Sequence, residues 1–254
     1  MRSILQKTAS YCERLKGLAL HFVCEEKIEE KTATFKRSFL LRRGPQKAGY
    51  KPAEDLRVDK ITKKTYLYDY QMVKKGDDFK ERRNLLAENG KRKNEQDAEL
   101  KTTRMSSQFL VFGPVGFLSR YWQDYFRYQI IAAENIGGRE AVVITAVPKE
   151  PREENNSFGK IWVDAADASI LMIEWEPQSI AGLAETVESP AGELRRKITW
   201  TVFYDIVYKG VRFPGRQVIK EVYITKNDQE HLKYEATYSY EKYRYFVVET
   251  EVTW

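Results

Sequence analysis

Cysteine and histidine are nearly absent from the 254 residues: there are two of each, Cys12 and Cys24, His21 and His231. Zinc sites built on thiolate and imidazole need more ligands at closer spacing, and the cysteines do not form a C-x-x-C redox pair. Neither histidine has a neighbouring nucleophile or a second ligand at metal-binding spacing. Long apolar runs are missing as well. No stretch approaches the roughly 20 apolar residues of a membrane-spanning helix. The opening MRSILQKTASYCERL scatters its apolar residues among charges, unlike an export signal. There is no alternation of strands with helices at βαβ spacing, which excludes a parallel nucleotide-binding sheet. Gly113-Pro114-Val115-Gly116 lacks the lysine and hydroxyl residue that complete a phosphate loop. No catalytic residue, cofactor or metal is expected, and the chain is not read as an enzyme.

Aromatic residues, in contrast, are abundant at 13 %, with 16 Tyr, 12 Phe and 5 Trp. Flat side chains pack well on pleated sheets and suit an apolar concavity. The net charge of +6 comes in short clusters such as Lys91-Arg92-Lys93 and Arg195-Arg196-Lys197, with acidic residues close to most of them. No nucleic-acid-binding motif accompanies them, so nucleic acid is not an expected partner.

Helical spacing is confined to the start. Ile4, Leu5, Thr8, Ala9, Cys12 and Leu15 share one face, and Gly17 offers a stop. From Leu18 the period is two. Leu20, Phe22 and Cys24 point one way and, after a break at Glu26, so does Ile28; Phe35, Phe39 and Leu41 continue in a second strand. The segment from Gly44-Pro45 to about residue 64 reads as a loop. Tyr66, Tyr68, Tyr70 and Met72 alternate in a strand that turns at 74–78 into a partner over 79–86. Residues 88–104 read as a solvated loop entering a helix. Two short helical pieces follow, over 97–112 and 114–122, since Gly113-Pro114 and Gly116 prevent one long helix. The rest is strand: 126–133, then 141–148 with both faces apolar, a hairpin in GKIWVDAADASILMIEW, and closing strands over 197–208, 217–225, 232–240 and 245–253. The fold class is therefore mainly β (α+β). It comprises a strongly curved antiparallel sheet, or incomplete barrel, of about ten strands, with an N-terminal helix and a helical lid inserted mid-chain.

A curved sheet turns alternate residues towards its concave side, where helices can enclose a space. Its expected lining is Leu20, Phe22, Phe39, Tyr66, Tyr68, Tyr70 and Trp162 from strands, with Phe109, Phe112, Phe117, Leu118 and Trp122 from the lid. The same side chains could equally fill a core. Cys12 and Cys24 also carry two readings. With 11 residues between them they could close a disulfide loop contributing roughly 3 kcal/mol, or they are two small buried side chains.

The order of elements carries a resemblance. LKGLALHFVCEEKIEE leads to strand hairpins and a helical insertion with FGPVGFL, then ENIGGREAVVITAVPKEP, GKIWVDAADASILMIEW and YKGVRFPGRQVI. This pattern resembles the superfamily of outer-membrane lipoprotein carriers, the LolA/LolB-like fold, over most of the chain, 1–254, as one domain. The resemblance implies an incomplete β-barrel lidded by helices. It also implies binding of a lipid or lipoprotein acyl chain, and a periplasmic or outer-membrane-associated location with the signal peptide removed. The chain is longer than the compact carriers, and no cargo-gripping residue aligns. The rival expectation is an envelope interaction or sensor module with a filled core, presenting Tyr238, Tyr240, Tyr243 and Tyr245 to protein partners.

Overall fold

The computed structural model describes residues 1–20, 22–39, 54–75, 78–102, 110–150, 158–176, 186–189 and 192–246. Helix α1 (Arg2–Leu18) buries one stripe, Thr8, Ala9, Tyr11, Cys12 and Leu15, and runs one residue past Gly17. Strand β1 (Phe22–Phe39) follows, with no break at Glu26 and no division before Phe35. Strand β2 (Glu54–Lys75) begins ten residues earlier than the end of the expected loop. It is hard to read because Leu56 is buried while Val58 and Ile61 are exposed. Strand β3 (Asp78–Glu88) completes the expected hairpin.

Lys91–Glu95, expected in a loop, forms strand β4. Asn89 and Gly90 take positive φ values of 49° and 75° there, which allows a two-residue hairpin turn with the twist of its strands. Residues 97–102 are not helical, which corrects the first expected helical piece; 103–109 of that piece lie outside the described residues. Next come a 3-10 turn at Leu110–Phe112, then α2 (Val115–Leu118) and α3 (Arg120–Gln123).

The remaining strands are β5 (Phe126–Ile136), β6 (Arg139–Pro148), β7 (Gly159–Asp164), β8 (Ile170–Trp175), β9 (Thr186–Ser189), β10 (Gly192–Phe203), β11 (Ile206–Tyr208), β12 (Val211–Phe213), β13 (Arg216–Ile224) and β14 (Glu230–Tyr245). The strand expected to begin at Tyr245 is instead the end of β14; 247–254 lie outside the described residues.

Among the described residues, twelve strands form one curved antiparallel sheet that does not close into a barrel. Its order is β4-β3-β2-β1-β14-β13-β10-β8-β7-β6-β5, with β9 beside β10, and β11 and β12 pair separately. β4 and β5 are consecutive in the chain yet lie at opposite edges. Of the connection between them, the described residues 110–125 lie on the inner face. Val111, Val115, Phe117 and Leu118 join one core cluster with Tyr11, Cys12 and Leu15 of α1 and Ile144, Ile161 and Ile173 of the sheet. The expected open sheet with an N-terminal helix and helical cover is thus what is observed.

Strand alternation creates two smaller cores. On the outer face Ala141, Val143, Trp162 and Leu171 pack together, which explains why β6 is apolar on both sides. Near the far end of β1 and β2, Leu56, Leu194 and Tyr223 cluster with Phe35 and Val187. Gly159 is fixed by proximity: a Cβ there would lie 2.1 Å from the Glu174 carbonyl oxygen.

Candidate binding interior

The inner face is built from two chemically different halves. On β1, strict alternation turns Phe22, Cys24, Glu26, Ile28 and Glu30 inward, so two carboxylates enter the core side. Glu26 is fully buried and accepts two hydrogen bonds from Arg83 of β3, Nε to Oε2 at 2.6 Å and Nη2 to Oε1 at 3.1 Å. Arg83 Nη1 also donates to Glu81 at 2.8 Å, and its guanidinium lies 4.8 Å from the Tyr70 ring centroid. Hydroxyls complete the network. Tyr70 donates to Glu81 at 2.8 Å, Tyr240 to Glu26 at 3.0 Å and Tyr234 to Glu30 at 2.9 Å. Burial works against the Arg83 charge, but Glu26 and then Glu81 outweigh it and raise its pKa, so it stays a cation. Burial drives the Tyr70 and Tyr240 phenols well above their ordinary range, so both remain proton donors. The segment after β4 is tied to this half: Ala98 N–H donates to Arg83 O at 2.7 Å and Lys101 N–H to the Tyr68 hydroxyl at 3.2 Å.

The second half lies under α1 and the helical cover. Phe117 of α2 meets Trp175 edge-on at 5.3 Å and Phe126 at 6.1 Å. Polar contacts also tie the cover, with Lys149 Nζ donating to the Asp124 carbonyl at 2.6 Å and Lys149 N–H to the Tyr125 carbonyl at 2.9 Å. Tyr128 OH donates to the Phe117 carbonyl, Gln123 Nε2 to the Leu5 and Leu118 carbonyls at 2.7 Å each, and Cys12 Sγ lies 3.6 Å from Pro114 O.

Of the expected lining residues, Phe22, Tyr66, Tyr68, Tyr70, Phe117 and Leu118 lie in the main core, with Leu20, Phe112 and Trp122 partly buried against it. They pack ring against ring; Phe22 contacts Tyr70 at 6.1 Å, Phe213 at 5.4 Å and Tyr243 at 5.1 Å. Trp162 is not among them. It faces the outer side and donates to Glu134 Oε2 at 2.9 Å, because its strand neighbours Ile161 and Val163 take the inward positions. Phe39 ends β1 opposite Glu54, with its side chain outside the described residues, as is Phe109.

The disulfide reading is corrected: Cys12 and Cys24 are separate buried thiols. Cys12 faces Pro114, and Cys24 lies in the main core on the inner face of β1. Burial pushes the Cys12 thiol up to about 12, which keeps it protonated and unreactive. The exposed tyrosine cluster is corrected too. Tyr238 and Tyr240 are buried, and Tyr243 and Tyr245 pack against the core.

The residues missed from the sequence are Glu26, Glu81 and Arg83. Alternation alone places Glu26 between Cys24 and Ile28 on one face, a signal available had Glu26 not been read as a break.

No helix among the described residues is long and apolar enough to cross a membrane. No family model matches the chain, and no curated protein matches it. Among solved structures it is similar to a LolA superfamily protein from Nitrosomonas europaea, 14 % identical over 96 % of this chain and 94 % of that one, with a TM-score of 0.40. A DUF1329 family protein from Desulfovibrio piger is 12 % identical over 97 % and 95 %, with a TM-score of 0.40. The Pseudomonas aeruginosa MucA/MucB complex contains a chain 9 % identical over 95 % and 99 %, with a TM-score of 0.25.

Proposed function

We propose that the chain, as one domain, binds a lipid or the acyl part of a lipoprotein without catalysis, in the bacterial periplasm or at the outer membrane. The observation that carries this reading is the cover of the apolar half. Its helices α2 and α3 have four residues each, too short to be stable alone, and they lie on a continuous aliphatic and aromatic face. Short helices packed on such a face can exchange their own apolar side chains for a ligand. Lifting the cover frees the face around Ile144, Ile161 and Trp175. An acyl chain replacing Phe117 and Leu118 there gains roughly 0.8 kcal/mol per buried methylene. The Glu26–Arg83 half remains as the rigid wall.

Titration with an environment-sensitive fluorescent acyl probe, in competition with phospholipid and fatty acid, tests this. Saturable, competable binding near one probe per chain is expected. Gln123→Ala removes the tie between α3 and α1 and should speed probe uptake several-fold; an unchanged rate counts against opening of the cover. Absence of binding by protein that is folded by circular dichroism overturns the reading.

One observation favours a partner protein instead. β5 is an edge strand whose Ile130 and Ile131 are each 46 % exposed at a bulge. Such an edge can accept an added strand. That reading predicts no probe binding and the loss of a partner on Ile131→Lys.

A further inference from the structure

Outside the sheet, α1 and α3 border an open cleft of about 420 Å3 lined by Arg2, Leu5, Ala9, Arg120, Gln123 and Asp124, among others. Two exposed guanidinium groups face it against one carboxylate. Beside the cleft stands an aromatic trio. The Tyr121 ring lies 5.2 Å from Trp122 and 5.3 Å from Tyr125, and Trp122 lies 5.6 Å from Tyr125. Tyr121 is 63 % exposed, the most exposed large aromatic side chain among the described residues. Lys149, also exposed, reaches the same corner, where its Nζ donates to the Asp124 carbonyl at 2.6 Å.

We infer that this corner docks on an anionic phospholipid surface. Arginine forks pair bidentately with phosphate oxygens such as those of a lipid headgroup. Tyrosine and tryptophan with apolar bodies and polar tips settle at the headgroup level of a bilayer. Arg120, Tyr121 and Trp122 lie on the same short helix, with Arg2 across the cleft on α1, so a single approach brings charge and rings to the membrane. The cleft accepts a headgroup phosphate between Arg2 and Arg120 while Tyr121 enters the interface. The inference stands on this corner alone and does not depend on what the interior holds.

Co-sedimentation of the full chain with vesicles tests it, using phosphatidylcholine alone or mixed with phosphatidylglycerol. Binding to the mixed vesicles only, weakened by salt, is expected. Arg2→Gln with Arg120→Gln should weaken it about 30-fold, from the usual contribution of basic residues at an anionic surface. Tyr121→Ser should weaken it further at high salt, where the charge contribution is screened. Arg195→Gln with Lys197→Gln, on exposed positions of β10, makes the same change in net charge and should leave binding intact. Equal weakening by this control pair would reduce the effect to net charge and overturn the assignment. So would equal binding to both vesicle types, or none. All four substituted cations and Tyr121 are exposed, so the fold is retained.

Discussion

On β2, β1 and β14 the inward positions carry Tyr66, Tyr68, Tyr70, Tyr234, Tyr238 and Tyr240 around Glu26 and Glu30, whereas on β6, β7 and β8 they carry Ile144, Ala146, Ile161, Val163, Ile170 and Ile173. Both halves are equally dry and belong to one core, yet they are held differently. The aliphatic half depends on area removed from water and adapts to whatever apolar surface covers it. The tyrosine half depends on directed bonds, each needing its partner at a fixed place. One half therefore suits a replaceable cover, and the other a wall that does not move.

Alkaline pH should separate the halves most strongly. Buried Tyr70 and Tyr240 keep their protons well above the ordinary value of 10.0, whereas in the unfolded chain the same phenols ionise near it. Their contribution is complete below that pH and is lost as pH rises through and beyond it. Unfolding midpoints in urea should fall steeply above about pH 10, with the tyrosinate absorbance of the buried phenols appearing together with unfolding. Ionisation of Tyr70 or Tyr240 while the fold persists, read as the difference from Tyr70→Phe and Tyr240→Phe, would break the comparison.

Next in size is Arg83→Ala, which strands Glu26 without its cation and should cost about 3–5 kcal/mol in denaturant unfolding. The double change Glu26→Leu with Arg83→Met should recover most of that loss. Ile161→Ala in the aliphatic half should cost about 2–5 kcal/mol, according to how far the cover collapses into the space. A value at the low end, with faster acyl-probe uptake, would sharpen the contrast. The smallest effect is that of Tyr234→Phe, which removes one hydrogen bond to Glu30 and should cost about 1.5–3 kcal/mol in the same measurement.

Much of the sheet was legible because alternation is a local signal. The strands at Tyr66–Met72, Ala141–Pro148 and Gly159–Trp175 needed only their own residues to be recognised, and so did the stripe on α1. The sheet order was not legible, since no local pattern states that β1 lies beside β14. The polar half was missed for a related reason. Glu26 looks like a break until Arg83, 57 positions later, is known to face it. β4 escaped despite Asn89-Gly90, because all five of its residues are exposed and it has no apolar face to announce it. Trp162 was assigned to the wrong side because its bulk outweighed its company: Lys160 and Asp164, two positions to either side on β7, share its face and mark it as the outer one.

The pairing of β1 with β14 has a consequence for how the chain folds. The hairpins of β1 to β4 can form on their own, and so can the strands from β5 to β13. Among the described residues the two groups share no ladder until β14 docks, because it pairs with both β1 and β13. Until then β1 and β13 each offer unpaired backbone to their neighbours. β14 works as a fastener, and the contacts it closes are among the most distant in the sequence, which makes it a slow step of folding.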